Sequence, residues 1–373
     1  MNEATRVMHQ GNAFKLGTFA SNCASGLTIT KHPDRWSGSW EDNLRLARML
    51  DEAGIDFMLP IARWLGFGGE TNFHGRVLET MTWSAGLLAV TRNISIVATM
   101  HTVATHPLVL ARQIATIDEI GRGRAGLNIV AGWNDPEYRA LGLRLPKDHE
   151  TRYAYAQEWF EIVERLWSSS KPFDYNGKFF QLEGAYCDPR PVHGRPLIIN
   201  AAGSSQGREF ALRNADMLFT PVIELARSAR EVSDLKQLAS QAGRTIDVLT
   251  GCHIVCRPTE KEARDYAAQF MGDMVDNEAV DQLIRLQFAH AQSIPHDALA
   301  LIRDRMAMGH GAYPLIGTPE QVTEGLIEIH RAGFSGSTFS FFDYNDDFPY
   351  FRDTVLPNLV QAGLREAQPH AFA

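Results

Sequence analysis

The chain has 373 residues, of which 45% are hydrophobic and 21% charged, and 36 basic against 44 acidic side chains give a formal net charge of -8. That composition excludes a disordered or fibrous class, and an acidic balance with no Lys/Arg block argues against a nucleic-acid surface. No apolar window reaches the roughly 18 uncharged residues that a membrane span needs. The polar start MNEATRVMHQGNAFKLG lacks a signal peptide's apolar stretch, so a cytoplasmic location is expected.

The length suits two average domains or one large α/β barrel. Lys15 to Asn22 reads as a first strand, followed by the amphipathic SWEDNLRLARMLDEAG, with Ser39 as its cap and Leu44, Ala47, Met49 and Leu50 facing inward. Asp56 to Pro60 is a second strand, RVLETMTWSAGLLAVT a second helix, and Ile94 to Thr102 a third strand. In the third helix, HPLVLARQIATIDEIGRG, Pro107 suits the first turn and Gly121 to Gly123 the stop. Ala125 to Gly132, Leu197 to Ala202, Met217 to Val222, Val248 to Cys256 and Ser337 to Phe342 complete eight strands, with helices at Thr151 to Ser168 and Thr318 to Ala332 among the intervening segments. Eight alternating units predict a (β/α)8 TIM barrel, an α/β fold in one domain over residues 1–373. Two segments interrupt the alternation. Phe173 to Gly184, with Asn176-Gly177 between aromatic runs, predicts a hairpin excursion. Gly272 to Pro314 reads as an insertion with a helix at Val280 to Ala291, of the kind that covers a barrel mouth or an oligomer surface.

Barrel chemistry sits at the C-terminal ends of the strands. The polar residues there are Asn22, Arg63, Thr99 with His101 and Thr102, Asn128 with Trp133, Ser204 with Ser205, and Asp343. Asn128 is a carboxamide near the middle of an otherwise apolar strand. In INAAGSSQGREFALRNADMLF a strand runs through Gly203, Ser204 and Ser205 into a helix, which reads either as a phosphate site or as an ordinary Ser-capped helix. LGFGGET, Leu65 to Thr71, lacks the P-loop and dinucleotide spacings and reads as a loop over the mouth. No metal is expected, because His and carboxylates do not converge on the strand ends. His74, His253, His290 and His296 read as surface or packing residues, whereas His101 has strand-end neighbours. The four cysteines are too few for a disulfide framework, and Cys252 and Cys256 read as buried strand residues.

GRAGLNIVAGWNDPEY, ATIDEIGRGRAGLNIV, TRYAYAQEWFEIVERLW, INAAGSSQGREFA and GFGGETNF together resemble the bacterial-luciferase-like flavin monooxygenases, within the group of pyrimidine, dimethylsulfone and alkanesulfonate oxygenases. The resemblance is strong over Phe14 to Val222 and weaker through the insertion. It implies a barrel that binds FMN, supplied reduced by a separate NAD(P)H:flavin reductase, with O2 as co-substrate. By position it implies flavin contacts from Ala62, Arg63, Thr99, Asn128, Glu137, Arg152 and Tyr153, with Gly203, Ser204 and Ser205 at the phosphate. Arg63 replaces a Lys of the pyrimidine oxygenases, a change of hydrogen-bond geometry.

The resemblance also implies that Asn128 and Thr99 donate hydrogen bonds to oxygen as a flavin peroxide forms, with His101 as acid, base or orienting group. Phe67, His101 and Trp133 are expected to line the substrate pocket. The expected reaction inserts one oxygen atom into a small nitrogen heterocycle or cyclic amide and opens its ring. The alternatives are an organosulfur monooxygenase, for a sulfone or sulfonate, and a flavin or deazaflavin barrel without oxygenase turnover. The expected assembly is a homodimer or homotetramer.

Overall fold

The computed structural model describes residues 11–146, 148–201, 203–287 and 296–367. The first half alternates β1 (Lys15–Phe19), α1 (Trp40–Glu52), β2 (Phe57–Leu59), α2 (Thr80–Val90), β3 (Ser95–His101), α3 (Pro107–Ile120) and β4 (Ala125–Val130). After α4 (Asp135–Ala140) and α5 (His149–Ser168) come β5 (Phe173–Asn176) and β6 (Gln181–Ala185), then β7 (Leu197–Ala201), α6 (Ser205–Asn214), β8 (Met217–Phe219), α7 (Leu225–Gln241) and β9 (Asp247–Cys256). The remainder holds α8 (Glu260–Phe270), α9 (Asn277–Gln287), α10 (His296–Gly309), β10 (Tyr313–Gly317), α11 (Pro319–Arg331), β11 (Gly336–Ser340), α12 (Tyr344–Thr354) and α13 (Leu356–Gln361).

Strands β1, β2, β3, β4, β7, β8, β9 and β11 pair in parallel in that order, and β11 returns to β1, which closes an eight-stranded barrel. Side chains alternate across each strand. Phe57, Leu59, Val97, Leu197, Ile199, Met217 and Leu249 fill the barrel interior as one apolar cluster, while the alternate residues Ile96, Ala98, Ile198, Leu218 and Val248 pack outward against the helices. Thr99 and His101 share the inward parity of Val97. Asn128 lies in register with Thr99 on one side and inward-facing Ile199 on the other. These three polar side chains therefore stand above the apolar plug, at the C-terminal mouth.

The helix starts follow local chemistry. Ser39 accepts from Asp42 N as expected, and His106 caps α3 ahead of Pro107. Thr259 and Thr318 each form a capping box, with Glu262 and Gln321 respectively. All four cysteines are free and buried.

The insertion differs from expectation. Its first helix spans Asn277–Gln287 rather than Val280 to Ala291, and a second helix, α10, follows. Residues 288–295, which include His290 and Ala291, lie outside the described residues, as does Ala202 at the end of the expected fifth strand. A ninth strand, β10, was not anticipated. It pairs with the outer half of β9, Cys252 to Cys256, beyond the point where β8 stops at Leu249. The hairpin is present, with a wider turn than Asn176-Gly177 alone: Gly177 N bonds Phe180 O, and Glu158 accepts from the amides of Lys178, Phe179 and Phe180. No helix among the described residues is long and apolar enough to cross a membrane.

Candidate active site

Asn128 and Thr99 meet at the mouth. The Thr99 hydroxyl donates to Pro60 O at 2.7 Å and accepts from Asn128 Nδ2 at 3.2 Å. Two donors aimed at oxygen were expected. Instead the Thr99 proton is held by a backbone carbonyl, and Thr99 fixes the Asn128 amide. One N–H of Asn128 is not used in this contact, and its Oδ1 is buried with no partner.

Arg63 follows β2 and turns its side chain inward. Its Nη1 lies 2.8 Å from Glu137 Oε2, with the two side chains only 5% and 1% exposed. Glu137, on α4, also accepts from Trp64 N and Leu65 N, so it anchors both the cation and the loop behind it. The guanidinium lies against Phe67 and Trp133, at 4.8 and 5.1 Å from the ring centroids, and Arg63 Nε is buried without a partner. Ala62, beside it, is half-buried.

His101 is buried and stacks on Tyr138 at 5.8 Å. Burial, helped by nearby Arg63, pushes its pKa down to about 3. It is therefore a neutral imidazole near neutral pH and not a ready proton donor. The Tyr138 hydroxyl is buried and unpartnered. Gly132, at φ +104°, makes room for it, since a Cβ there would lie 2.3 Å from that oxygen.

The phosphate candidates gather where β7 runs into α6. Ser204 caps α6 by accepting from Gly207 N, and its hydroxyl is hydrogen-bonded to that of Tyr153 from α5. A Cβ on Gly203 would meet nothing within 4 Å, and Ser205 is exposed beside it. Unpaired helix amides, two hydroxyls and an open approach make a seat for an anion. Arg152 instead ties down the loop after β4, with Nε on Pro146 O at 2.6 Å and Nη1 on Gly132 O at 3.4 Å.

Other strand-end residues are structural. Asn22 spends its amide on Ile61 O, Leu78 O and Ile61 N, and Asp343 caps α12. His253 is fully buried against Ser340 and Phe342.

Two residues that the sequence reading did not bring to the site belong there. His74, from the loop before α2, and His310, just after α10, stack at 5.8 Å with 13° between planes, and their rings lie 6.0 and 6.4 Å from the Phe67 ring. Asp276 holds that loop to the insertion, accepting from Thr71 N and Oγ1 at 2.8 Å each while capping Ala279 N. Phe67, Phe73 and the insertion residues Val275, Val280, Leu283 and Met306 form one apolar cluster with Trp133 packed against it.

A buried unpaired polar atom costs on the order of 1–3 kcal/mol. Asn128 Oδ1, Arg63 Nε and Tyr138 Oη are three such atoms on β4, after β2 and on α4, and a ligand with complementary groups would satisfy them. With an anion seat at α6, the residues fit a ligand with a polar ring at one end and a phosphate at the other. The layout is that of a barrel enzyme using a phosphorylated organic cofactor.

The luciferase-like monooxygenase family model matches residues 14–336, and the chain belongs to that family. A pyrimidine monooxygenase, RutA, of Acinetobacter baylyi is 31% identical over 95% of this chain and 98% of its own. An FMNH(2)-dependent dimethylsulfone monooxygenase of Pseudomonas fluorescens is 27% identical over 92% of this chain and 94% of its own. The crystal structure of DmoA from Hyphomicrobium sulfonivorans shares the fold, with TM-score 0.83 at 20% identity over 96% of this chain and 90% of that one.

Proposed function

We propose that this chain is a flavin-dependent monooxygenase that receives reduced FMN from a separate NAD(P)H:flavin reductase and uses O2 to oxygenate a small, uncharged organic molecule. A nitrogen heterocycle or cyclic amide, opened by the oxygenation, fits best. The observation that carries the choice of substrate is the charge balance at the mouth. Arg63 is matched by Glu137, and burial lowers the pKa of His74, His101 and His310, so all three imidazoles are neutral. A sulfonate would have to compete with Glu137 for Arg63, the cation that lies on the Phe67 and Trp133 rings, and a buried negative charge left unpaired is costly. A sulfone is uncharged and remains the second reading, favoured by the likeness to the dimethylsulfone enzyme.

When bound, reduced FMN supplies the electrons that activate O2. Ser204, Tyr153, Gly203, Ser205 and the α6 amides would hold its phosphate. Asn128, Arg63, Ala62 and Tyr138 would face its ring. Asn128 would direct its remaining N–H toward developing negative charge on oxygen, held in aim by Thr99. Phe67 and Trp133 would exclude water above the ring, with His101 presenting a neutral imidazole to the substrate. Glu137 and Arg152 act one step back, by fixing Arg63 and the loop after β4.

The reading includes self-association. Helix α2, TMTWSAGLLAV, carries no charge on any face, and between it and α3 runs a groove of about 720 Å³ lined by Met81, Ala85, Leu108 and Ile117. Val90, Val109 and Ile120 stand exposed around it. A helix apolar all round is ordinarily covered on every side, and a second copy of the chain is the proposed cover.

The test combines the protein, a flavin reductase, NADH, FMN and air with panels of heterocyclic amides and sulfones, with product masses read in ¹⁸O2. Incorporation of one labelled oxygen into a ring-opened amide is the expected result. Flavin reoxidation to hydrogen peroxide with no labelled product from either panel would sink the oxygenase reading.

A further inference from the structure

His74 and His310 have no part in the mechanism above, yet the chain holds both in an unusual state. Each sits at positive φ, +57° and +55°, in the left-handed region that few residues other than glycine adopt and that histidine, like asparagine, enters more often than most. Such strain persists only where the surroundings impose it, and it gathers at functional sites. The two rings come from segments more than 200 residues apart and stack nearly parallel. His74 packs face to face on Phe73 at 3.8 Å, and both histidines surround the Phe67 ring that carries Arg63.

Their hydrogen bonds assign the ring protons. His74 Nε2 lies 2.7 Å from Gly26 O. A carbonyl only accepts, so Nε2 carries the proton and Nδ1 is a lone-pair acceptor. His310 Nε2 lies 3.1 Å from the Gln287 amide nitrogen. With the Gln287 amide nitrogen turned toward it, Nε2 accepts, and the tautomer assigned on that orientation carries the His310 proton on Nδ1. Both Nδ1 atoms are shut off from solvent and have no partner. One acceptor and one donor are thus left unsatisfied on two rings whose centroids lie 5.8 Å apart, in a cluster that also holds the unpartnered Arg63 Nε–H.

We infer that His74 and His310 determine substrate specificity by reading an amide edge: His74 Nδ1 accepts the substrate's ring N–H, and His310 Nδ1–H donates to the adjoining carbonyl. The inference rests on the oxygenase reading and narrows its substrate to neutral rings with N–H beside C=O. A sulfone has two acceptors and no donor, so it would leave His74 unsatisfied. Burial supports the assignment, because both imidazoles stay neutral and keep one donor and one acceptor each.

The experiment measures binding to the enzyme loaded with oxidised FMN, by calorimetry, for succinimide, glutarimide and pyridone against their N-methyl derivatives. Sites built around a substrate N–H reject analogues lacking it, so the wild type is expected to prefer the parent rings by about tenfold or more. His74→Phe keeps the ring and removes the acceptor, and should abolish that preference with FMN affinity unchanged. His74→Gly tolerates the positive φ, removes the acceptor and serves if the phenylalanine variant fails to fold. His310→Gly, which tolerates the positive φ and removes the donor, should weaken parent and N-methyl rings alike, since both keep the carbonyl. Equal binding of parent and N-methyl rings by the wild type, no ring binding at all, or a preference that survives both His74 variants overturns the inference while leaving the oxygenase reading intact. Failure of the wild type to bind FMN overturns that reading and the inference with it.

Discussion

Asn128 and Thr99 illustrate how a strand can serve chemistry without changing its backbone. Both occupy inward positions in register, and of the two only the amide has a donor to spare. Asn128→Ala is expected to slow substrate oxygenation by about 100-fold or more, the usual consequence of losing a donor aimed at growing negative charge. FMN affinity, read from fluorescence quenching, should weaken by a smaller factor, about tenfold, for the loss of one ring contact. Thr99→Val should lower kcat more than it raises KM, with Thr99→Ser restoring most of the loss; a Thr99→Val enzyme as fast as wild type would remove its positioning role. Glu137→Gln leaves Arg63 buried without its counter-charge, a change that typically costs about 3–5 kcal/mol, and the measure is the denaturation midpoint. Asn128 was legible because a carboxamide in an apolar strand is conspicuous. His74 and His310 were not. Their pairing depends on how a loop and an insertion fold over the mouth, and no spacing in the sequence encodes that meeting.

At the scale of elements, hydrophobic runs and caps located all eight barrel strands and the hairpin. They did not locate β10. Tyr313–Gly317 contains Pro314 and ends in glycine, most of its residues are only partly buried, and it pairs solely with the overhanging half of β9, so no run of core residues marked it. The α2–α3 face makes its own prediction. Val109→Glu places a charge where a second copy is expected to pack. Sedimentation should show the wild type as a dimer or larger and the variant shifted toward monomer, with FMN binding retained because the groove is built from the outer faces of helices. A wild type that sediments as a monomer would end that assignment.

For the whole molecule, buried imidazoles tie stability to pH. His101, His253 and His310 are each pushed from 6.5 to about 3 by burial. Their folded-state pKa lies below the unfolded value, so the stability they contribute is complete above about 6.5 and is lost as pH falls toward 3. Asp347, pushed up to about 6 by burial, acts in the opposite sense between there and 3.8. Three imidazoles outweigh one carboxyl. The melting temperature should therefore fall on going from about pH 7.5 to about pH 5, and His253→Gln should flatten the slope; a pH-independent melting temperature would contradict the burial.

The Asp276 latch has a consequence for how such a molecule can change. The residues proposed to handle flavin and oxygen stand on or beside barrel strands, whereas His74 and His310 sit on a loop and an insertion joined by the Asp276 carboxylate and by the apolar cluster around Phe67 and Phe73. Lineages could exchange that fastened roof, loop and insertion together, and acquire a new diet without rebuilding the furnace beneath. Exchanging either half alone would leave Asp276 or Thr71 without its mate, so the two should travel as a unit.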